Sequence, residues 1–316
     1  MKISIIIPVK PCGHVAAVTA LMNLDHDSPD HEVIVAEGKK PSRQRNMAAK
    51  EATGDILYFL DDDALVVPDV LKRISACFED SNVAAVGGPS ITPPGDSSFQ
   101  RSIAWALSSA FGGGAIRNRY RCSGTLRDTD DRELILCNLA FRRDVYLYFG
   151  GLDERLYPNE ENELIDRLIK SGLRLLHDPG MFVRRSQRPT VVAFVRQMKT
   201  YGKGRAEQTL ISRRVSFKAI IPALFAIYSI SLILFHAWWY FIPGLLYLAI
   251  LLIHMLIAAG REGLPLALRL PMVYTLLHFF YGYGFITGLV APRYSRIGEC
   301  SMDVTLKSLK TFDSSW

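Results

Sequence analysis

The chain has 316 residues, 49% of them hydrophobic, which is room for one large domain with a sizeable core and for a further apolar region. Its formal net charge of +6 is not spread as a nucleic-acid surface, because the excess gathers at Lys199, Lys203, Arg205, Arg213, Arg214 and Lys218, just ahead of the longest apolar text. The five cysteines, Cys12, Cys77, Cys122, Cys137 and Cys300, include no CxxC pair, so neither a zinc site nor a disulfide framework is expected.

Met1 leads directly into "KISIIIPV", which reads as a strand rather than as a secretory leader. Ile3 to Val9 is apolar on both alternating sets of positions, as the centre of a parallel sheet buried on both faces requires. An apolar helix-like stretch follows around Val15 to Leu24. Then come a strand "HEVIVAEG", a helix "RQRNMAAKEATG", a strand "DILYFLDDD", a helix "PDVLKRISACFED" and a strand "NVAAVGGPS". That alternation predicts a doubly wound α/β domain. Ser97 to Arg121 places Phe99, Ile103, Leu107 and Phe111 four residues apart, the pattern of a helix lying either at a lipid edge or in an ordinary core.

From Phe217 to Val290 the text is apolar almost throughout, and long apolar blocks with no polar face are hard to cover in a soluble core. Three membrane spans are expected, near Ile220 to Phe235, Trp239 to Ala258 and Leu264 to Val290. The basic residues ahead of the first place the preceding domain in the cytoplasm. Val191 to Ser212 mixes apolar and basic residues, as an interfacial helix or a solvated connector does. The expected organisation is a catalytic-looking domain over 1–190, a connector over 191–216, an α-helical transmembrane region over 217–290 and a tail over 291–316. Three crossings put the tail outside, whereas Arg293, Arg296, Lys307 and Lys310 favour the inside. His254 and His278 fall within the spans and are expected to pack rather than to relay protons.

Two acidic clusters carry the chemistry. Asp61, Asp62 and Asp63 follow the strand "DILYFL", at the carboxyl end where ligands of parallel α/β sheets bind. Three adjacent like charges repel and invite a cation, and oxygen ligands of this kind suit Mg²⁺ or Mn²⁺ with phosphates completing the shell. A solvated acidic turn capping the next helix accounts for the triplet as well. Further on, Glu160, Glu161 and Glu163 open a helix whose Leu164, Ile165 and Leu168 lie on one side. Acids there suit the helix dipole, and they also suit general-base catalysis.

In this order and spacing, "SIIIPV", "RQRNMAAKEATGDILYFLDDD", "VGGP", "CNLAFRRDVYLYFGGLDERL" and "NEENELIDRLIKSGLRLLHDP" resemble the inverting glycosyltransferases of family 2 over roughly Lys2 to Arg188. The apolar tail, with "QMKTYGKGR" before it and "HFFYGYGFITGL" near its end, further resembles membrane-bound bacterial exopolysaccharide enzymes of succinoglycan type. The resemblance implies a GT-A fold, Rossmann-like with a mostly parallel sheet, and a divalent metal, Mg²⁺ or Mn²⁺. It implies a nucleotide-sugar donor, with UDP-sugar favoured over GDP-mannose and dTDP-sugars. Residue by residue it makes Asp63 the metal ligand supported by Asp61, and brings Asp62 to the ribose. Pro8 and Glu37, where many members have Asp, fall at the base and ribose, while Arg45 falls at the diphosphate or base. Glu161 takes the position of the general base, with Glu160 in reserve. "QMKTY" stands where processive members carry QxxRW, which implies one sugar per encounter. Where some members complete the metal shell with His, His177 comes early and Arg184 and Arg185 stand later. The expected acceptor is a hydroxyl of a lipid-linked saccharide, at the cytoplasmic face of the inner membrane. Polyprenyl phosphate is the alternative acceptor, and a catalytically inactive membrane scaffold the alternative from another class.

Overall fold

The computed structural model describes residues 1–213, 217–293 and 304–314. Arg214, Arg296 and Cys300, and the side chain of Lys218, lie outside the described residues. In chain order the elements are β1 (Ile3–Val9), α1 (Ala17–Leu21), β2 (His31–Glu37), α2 (Pro41–Glu51), β3 (Ile56–Leu60), β4 (Leu65–Val66), α3 (Val70–Cys77), β5 (Val83–Gly87) and β6 (Ser90–Ile91). Next come α4 (Ser98–Ser108), a 3-10 turn over Gly114–Tyr120, β7 (Arg127–Asp128), β8 (Asn138–Arg142), α5 (Arg143–Tyr148), α6 (Glu160–Lys170), β9 (Arg174–His177) and β10 (Val183–Arg184). The remainder is α7 (Val191–Ser212), α8 (Phe217–Ser231), α9 (Ile242–Glu262), α10 (Leu264–Ala267), α11 (Leu270–Val290) and β11 (Thr305–Lys310).

These elements form two compact units. The described residues of the first fall within Met1–Pro93, Ala115–Arg185 and Glu299–Trp316, and those of the second within Pro94–Gly114 and Ser186–Gly298. The first unit is built on a sheet of order β11-β2-β1-β3-β8-β5-β9-β7. Strand β1 runs parallel to both β2 and β3, and β9 parallel to β5, while β8 lies antiparallel between β3 and β5. The sheet is therefore mixed, with its parallel half at β2-β1-β3. Ile3, Ile5, Ile7 and Val9 of β1 enter a core with Leu21 of α1 and Leu71 and Ile74 of α3. Ile6 enters a core on the opposite face with Ala48 of α2, Tyr146 of α5 and Leu164, Ile165 and Leu168 of α6. Burial on both faces is the physical reason that "ISIIIPV" is apolar apart from Ser4, whose hydroxyl donates to Glu32 Oε1 at 2.6 Å.

Strand β11 pairs antiparallel with β2, with Thr305 opposite Glu37 and Lys310 opposite Val33. It covers what would otherwise be an open sheet edge.

Among the described residues of the second unit, two helical segments are long and apolar enough to cross a membrane, Trp238–Glu262 with 25 residues and Leu264–Val290 with 27. Among the described residues the first of the three expected spans forms α8, a helix of 15 residues. Sequence hydropathy ran that segment on to Phe235, but the helix ends at Ser231. Leu245, Leu246, Leu248, Leu252, Ile253 and Leu256 of α9 are all exposed, a larger apolar surface than water-soluble helices ordinarily leave uncovered. Helices α7 and α11 meet backbone to backbone. A Cβ at Gly202 would lie 2.0 Å from the Tyr281 carbonyl oxygen and one at Gly284 2.2 Å from that of Lys199. Gly202 of "YGKGR" and Gly284 of "YGYGF" thus make the crossing possible.

Phe111 lies beyond the end of α4 rather than on its apolar stripe, and its ring packs among Tyr247, His254, Tyr274 and His278. His278 donates from Nε2 to the Phe111 carbonyl (3.0 Å) and accepts at Nδ1 from the Tyr247 hydroxyl (2.9 Å). His254 Nδ1 lies 3.1 Å from the Tyr274 hydroxyl. Both histidines sit in this packed aromatic cluster.

Gly88, in "VGGP", has no room for a side chain, since a Cβ there would stand 1.9 Å from the Met181 carbonyl oxygen. Gly88→Ala is expected to cost about 1–3 kcal/mol through forced backbone shifts beside β5, measurable as a lowered denaturation midpoint; an unchanged midpoint would refute the close approach.

Candidate active site

Three consecutive polar residues of α2 organise the site. Pro41 at the first turn starts the helix with a φ already suited to it. One turn later Gln44 donates from Nε2 to the carbonyls of Val9 (2.8 Å) and Ala36 (2.5 Å), clamping together the carboxyl ends of β1 and β2. Pro8 is buried inside β1 at this clamp, and Glu37 follows Ala36. Asn46 accepts from the Tyr146 hydroxyl (2.6 Å) and the Leu152 N–H (3.0 Å) and donates to the Leu152 carbonyl (2.8 Å), fixing the loop that leads toward α6. Between them Arg45, 4% exposed, points at the acids.

Arg45 is the junction of the two acidic clusters. It donates to Asp61 Oδ1 at 2.7 Å and stands 3.6 Å from Glu160 Oε1, joining side chains 99 positions apart in sequence. Arg185 approaches from beyond β10, with 3.0 Å to Asp61 Oδ2 and 2.6 Å to Asp63 Oδ1. Asp61 therefore sits between two guanidiniums, and Asp61 and Asp63 present oxygens to a shared cation. Burial, and after it the charges of Asp63 and Asp61, raise the pKa of Asp62. Its main-chain carbonyl accepts from the Ala17 N–H at 3.0 Å, which ties the triplet to α1.

No group of three or more His, Cys, Asp or Glu side chains gathers as a metal site among the described residues. What Asp61 and Asp63 offer is a two-carboxylate face already turned toward a positive charge. This fits Mg²⁺ or Mn²⁺ held by one or two carboxylates with phosphate oxygens completing the shell. His177 is fully buried, and burial lowers its pKa to about 4, so it is neutral at physiological pH. Arg185 stands on the aspartates instead.

Glu160 and Glu161 open α6 after Asn159, which takes a left-handed φ of 86°. Burial, with the adjacent Glu161 adding to it, raises the Glu160 pKa against the opposing pull of Arg45. Glu160 Oε2 is buried without a hydrogen-bond partner. Glu161 lies 3.6 Å from Arg119, and Arg119 is anchored by bonds to Asn162 Oδ1 (2.6 Å) and to the Asp131 carbonyl. Two adjacent carboxylates thus have different environments, one favouring the proton and the other facing a guanidinium. At the other end of the site, Glu37 accepts from the Cys12 N–H (3.1 Å) and from Lys307 (2.6 Å), and the Lys307 bond lowers its pKa.

A family model, Glycosyl transferase family 2, matches residues 13–146. The succinoglycan biosynthesis protein ExoA of Rhizobium meliloti (strain 1021) is 26% identical over 238 residues, covering 66% of this chain and 70% of that protein. Residues 13–146 are a glycosyltransferase family 2 domain. A pre-mycofactocin glycosyltransferase of Mycobacterium tuberculosis is 27% identical over 164 residues, which are 52% of this chain but only 34% of that relative. Among solved structures, the mannosyltransferase PcManGT of Pyrobaculum calidifontis, in complex with GDP-Man and Mn²⁺, superposes with a TM-score of 0.54 at 14% identity over 91% of this chain and 86% of that one. At that identity the likeness speaks for the fold, which is GT-A.

In this glycosyltransferase Asp61, Asp63, Arg45 and Glu160 are linked through ion pairs, Asp62 is held between Asp61 and Asp63, and Glu161 is beside Glu160. Pro8 and Glu37 lie at the clamped ends of β1 and β2. Sequence reasoning missed Arg119 and Lys307. The first lies in the basic run "RNRYR" and the second was visible only as a tail charge, and neither spacing marks a partner.

Glu160 also gives a pH signature. A carboxyl whose folded pKa is raised contributes stability that is complete below the ordinary carboxylate range and is lost as pH rises through the raised value. Glu160→Gln, which cannot ionise, is expected to flatten that fall, so that thermal melts from pH 5 to pH 9 show the variant gaining on the parent as pH rises; a gap constant across this range would contradict a raised Glu160.

Proposed function

We propose that this glycosyltransferase moves one sugar from a nucleotide-sugar donor, UDP-sugar by preference, to a hydroxyl of a lipid-linked saccharide with inversion at the anomeric carbon. The observation that carries the reading is the junction at Arg45, where the aspartate triplet and the glutamate pair meet. The donor then lies along the strand ends, its base and ribose toward Pro8, Glu37 and Asp62 and its diphosphate toward Arg45, Arg185, Asp61 and Asp63. A divalent cation shared by Asp61, Asp63 and the diphosphate would offset the charge that builds on the leaving group. Arg45 and Arg185 add fixed positive charge at the same end.

Glu161 takes the acceptor hydroxyl's proton as the oxygen bonds to the anomeric carbon, and the electron pair of the breaking bond leaves with the nucleoside diphosphate. Glu160, with its raised pKa, holds its proton beside Glu161 and so does not compete for this one. Gln197 to Tyr201 places Thr200 and Tyr201 where processive members have Arg and Trp, which supports release after each transfer.

Glu161→Gln is expected to cut transfer to a hydroxyl acceptor about a hundredfold or more while nucleoside diphosphate still binds, and Asp63→Ala to impair both. Efficient transfer to polyprenyl phosphate by Glu161→Gln would favour the alternative acceptor, since that oxygen is ionised already.

Membrane attachment is the second part of the reading. Because β11 pairs with β2, the chain must return to the side of the sheet it left, and any crossings are even in number. Trp238–Glu262 and Leu264–Val290 supply two. The catalytic unit and the tail then share the cytoplasmic face, which accommodates Arg293, Lys307 and Lys310. Green fluorescent protein fused after Trp316 is expected to fluoresce and alkaline phosphatase fused there to be inactive; an active phosphatase would refute an even count.

A further inference from the structure

Strand β11 reaches the first unit only after the chain has passed through every apolar helix, yet it lies against the donor end of the sheet. Several independent contacts seat it there. Val304 and Leu306 pack against the core that contains Ile34 and Ala36. Lys310 donates from Nζ to the His31 carbonyl at 2.9 Å, and Phe312 lies under the Lys2 ammonium at 4.8 Å. Pairing runs antiparallel from Glu37 back to Val33, so the strand begins level with the carboxyl end of β2.

This register delivers Lys307 to Glu37, with Nζ 2.6 Å from Oε2. The other oxygen of Glu37 accepts the N–H of Cys12, whose left-handed φ of 58° turns the loop after β1 toward it. Both carboxylate oxygens are thereby fixed, one by each side of the strand end. A glutamate carries an extra methylene and an extra rotatable bond compared with aspartate, so a carboxylate meant to meet a ribose or base at this place needs holding.

We infer that Lys307 is a donor-positioning residue: the C-terminal strand supplies a cation that holds Glu37 in the orientation in which it meets the nucleoside of the donor. This rests on the donor-site reading given above. The same contact makes the tail part of the donor site rather than a trailing anchor. It also gives a reason for the chain to return to the sheet. The lowered pKa of Glu37 agrees with it, since the Lys307 bond favours the ionised carboxylate that accepts hydrogen bonds.

The test is calorimetric binding of UDP and of GDP to the full chain in detergent, followed by donor KM and kcat. Lys307→Met is expected to weaken binding of the preferred nucleotide about fivefold, the upper range for an exposed ion pair, and to raise donor KM more than it lowers kcat. Lys307→Arg restores most of the loss, and Glu37→Gln reproduces it. Thermal melts of Lys307→Met close to the parent's confirm that the loss is local. Nucleotide binding that Asp61→Asn abolishes but Lys307→Met leaves intact overturns the role of Lys307 alone. Binding that neither variant disturbs overturns the donor-site reading together with it.

Discussion

Five carboxylates, Asp61, Asp62, Asp63, Glu160 and Glu161, are gathered at one end of the sheet, and mutual repulsion would scatter them but for the guanidiniums of Arg45, Arg119 and Arg185. Arg45 contributes most, because it is buried and touches both clusters. Removing one partner from a buried ion pair leaves an uncompensated charge at a cost of about 3–5 kcal/mol, which applies to Arg45 with Glu160 and to Arg119 with Glu161. Burial and the charge of Glu161 raise the Glu160 pKa, which eases part of the repulsion. The concentration of negative charge that makes the site useful is also what would unmake the fold without its arginines.

The scaffold answers to this requirement. Helix α2 spends Gln44, Arg45 and Asn46 on three separate tasks, namely the strand ends, the acids and the loop before α6. The sheet brings β1, β2 and β3 to a common end by parallel pairing, so their C-terminal residues are neighbours whatever lies between them in sequence. Strand β11 extends the same logic across the whole chain. A catalytic unit closed by its own tail leaves the apolar helices as an insertion between two parts of one sheet, which constrains how they can meet a bilayer.

Much of this was legible in the sequence where one physical rule dominated. "ISIIIPV" reads as a doubly buried strand because Ser4 is its single polar position, and Asp61 to Asp63 read as a site because three adjacent acids at a strand end need a reason. The resemblance set Glu161 ahead of Glu160, but their different surroundings were not visible, since burial and Arg119 create them. Arg185 was noted, but its place on Asp61 and Asp63 depends on the path of the chain after β10. The tail strand was hidden because "TLKSLK" is short and one-third charged, and its pairing with β2 spans about 270 residues. Hydropathy carried the first apolar block on to Phe235 whereas α8 ends at Ser231, because apolar text continues through the turn after it.

The most direct test is a structure of the protein with UDP and Mn²⁺ bound. The account predicts the diphosphate at Asp61 and Asp63 with Arg185 moved off at least one of them, Arg45 still on Asp61, and the nucleoside beside Glu37. A nucleotide bound elsewhere, with Arg185 still bridging Asp61 and Asp63, would contradict it.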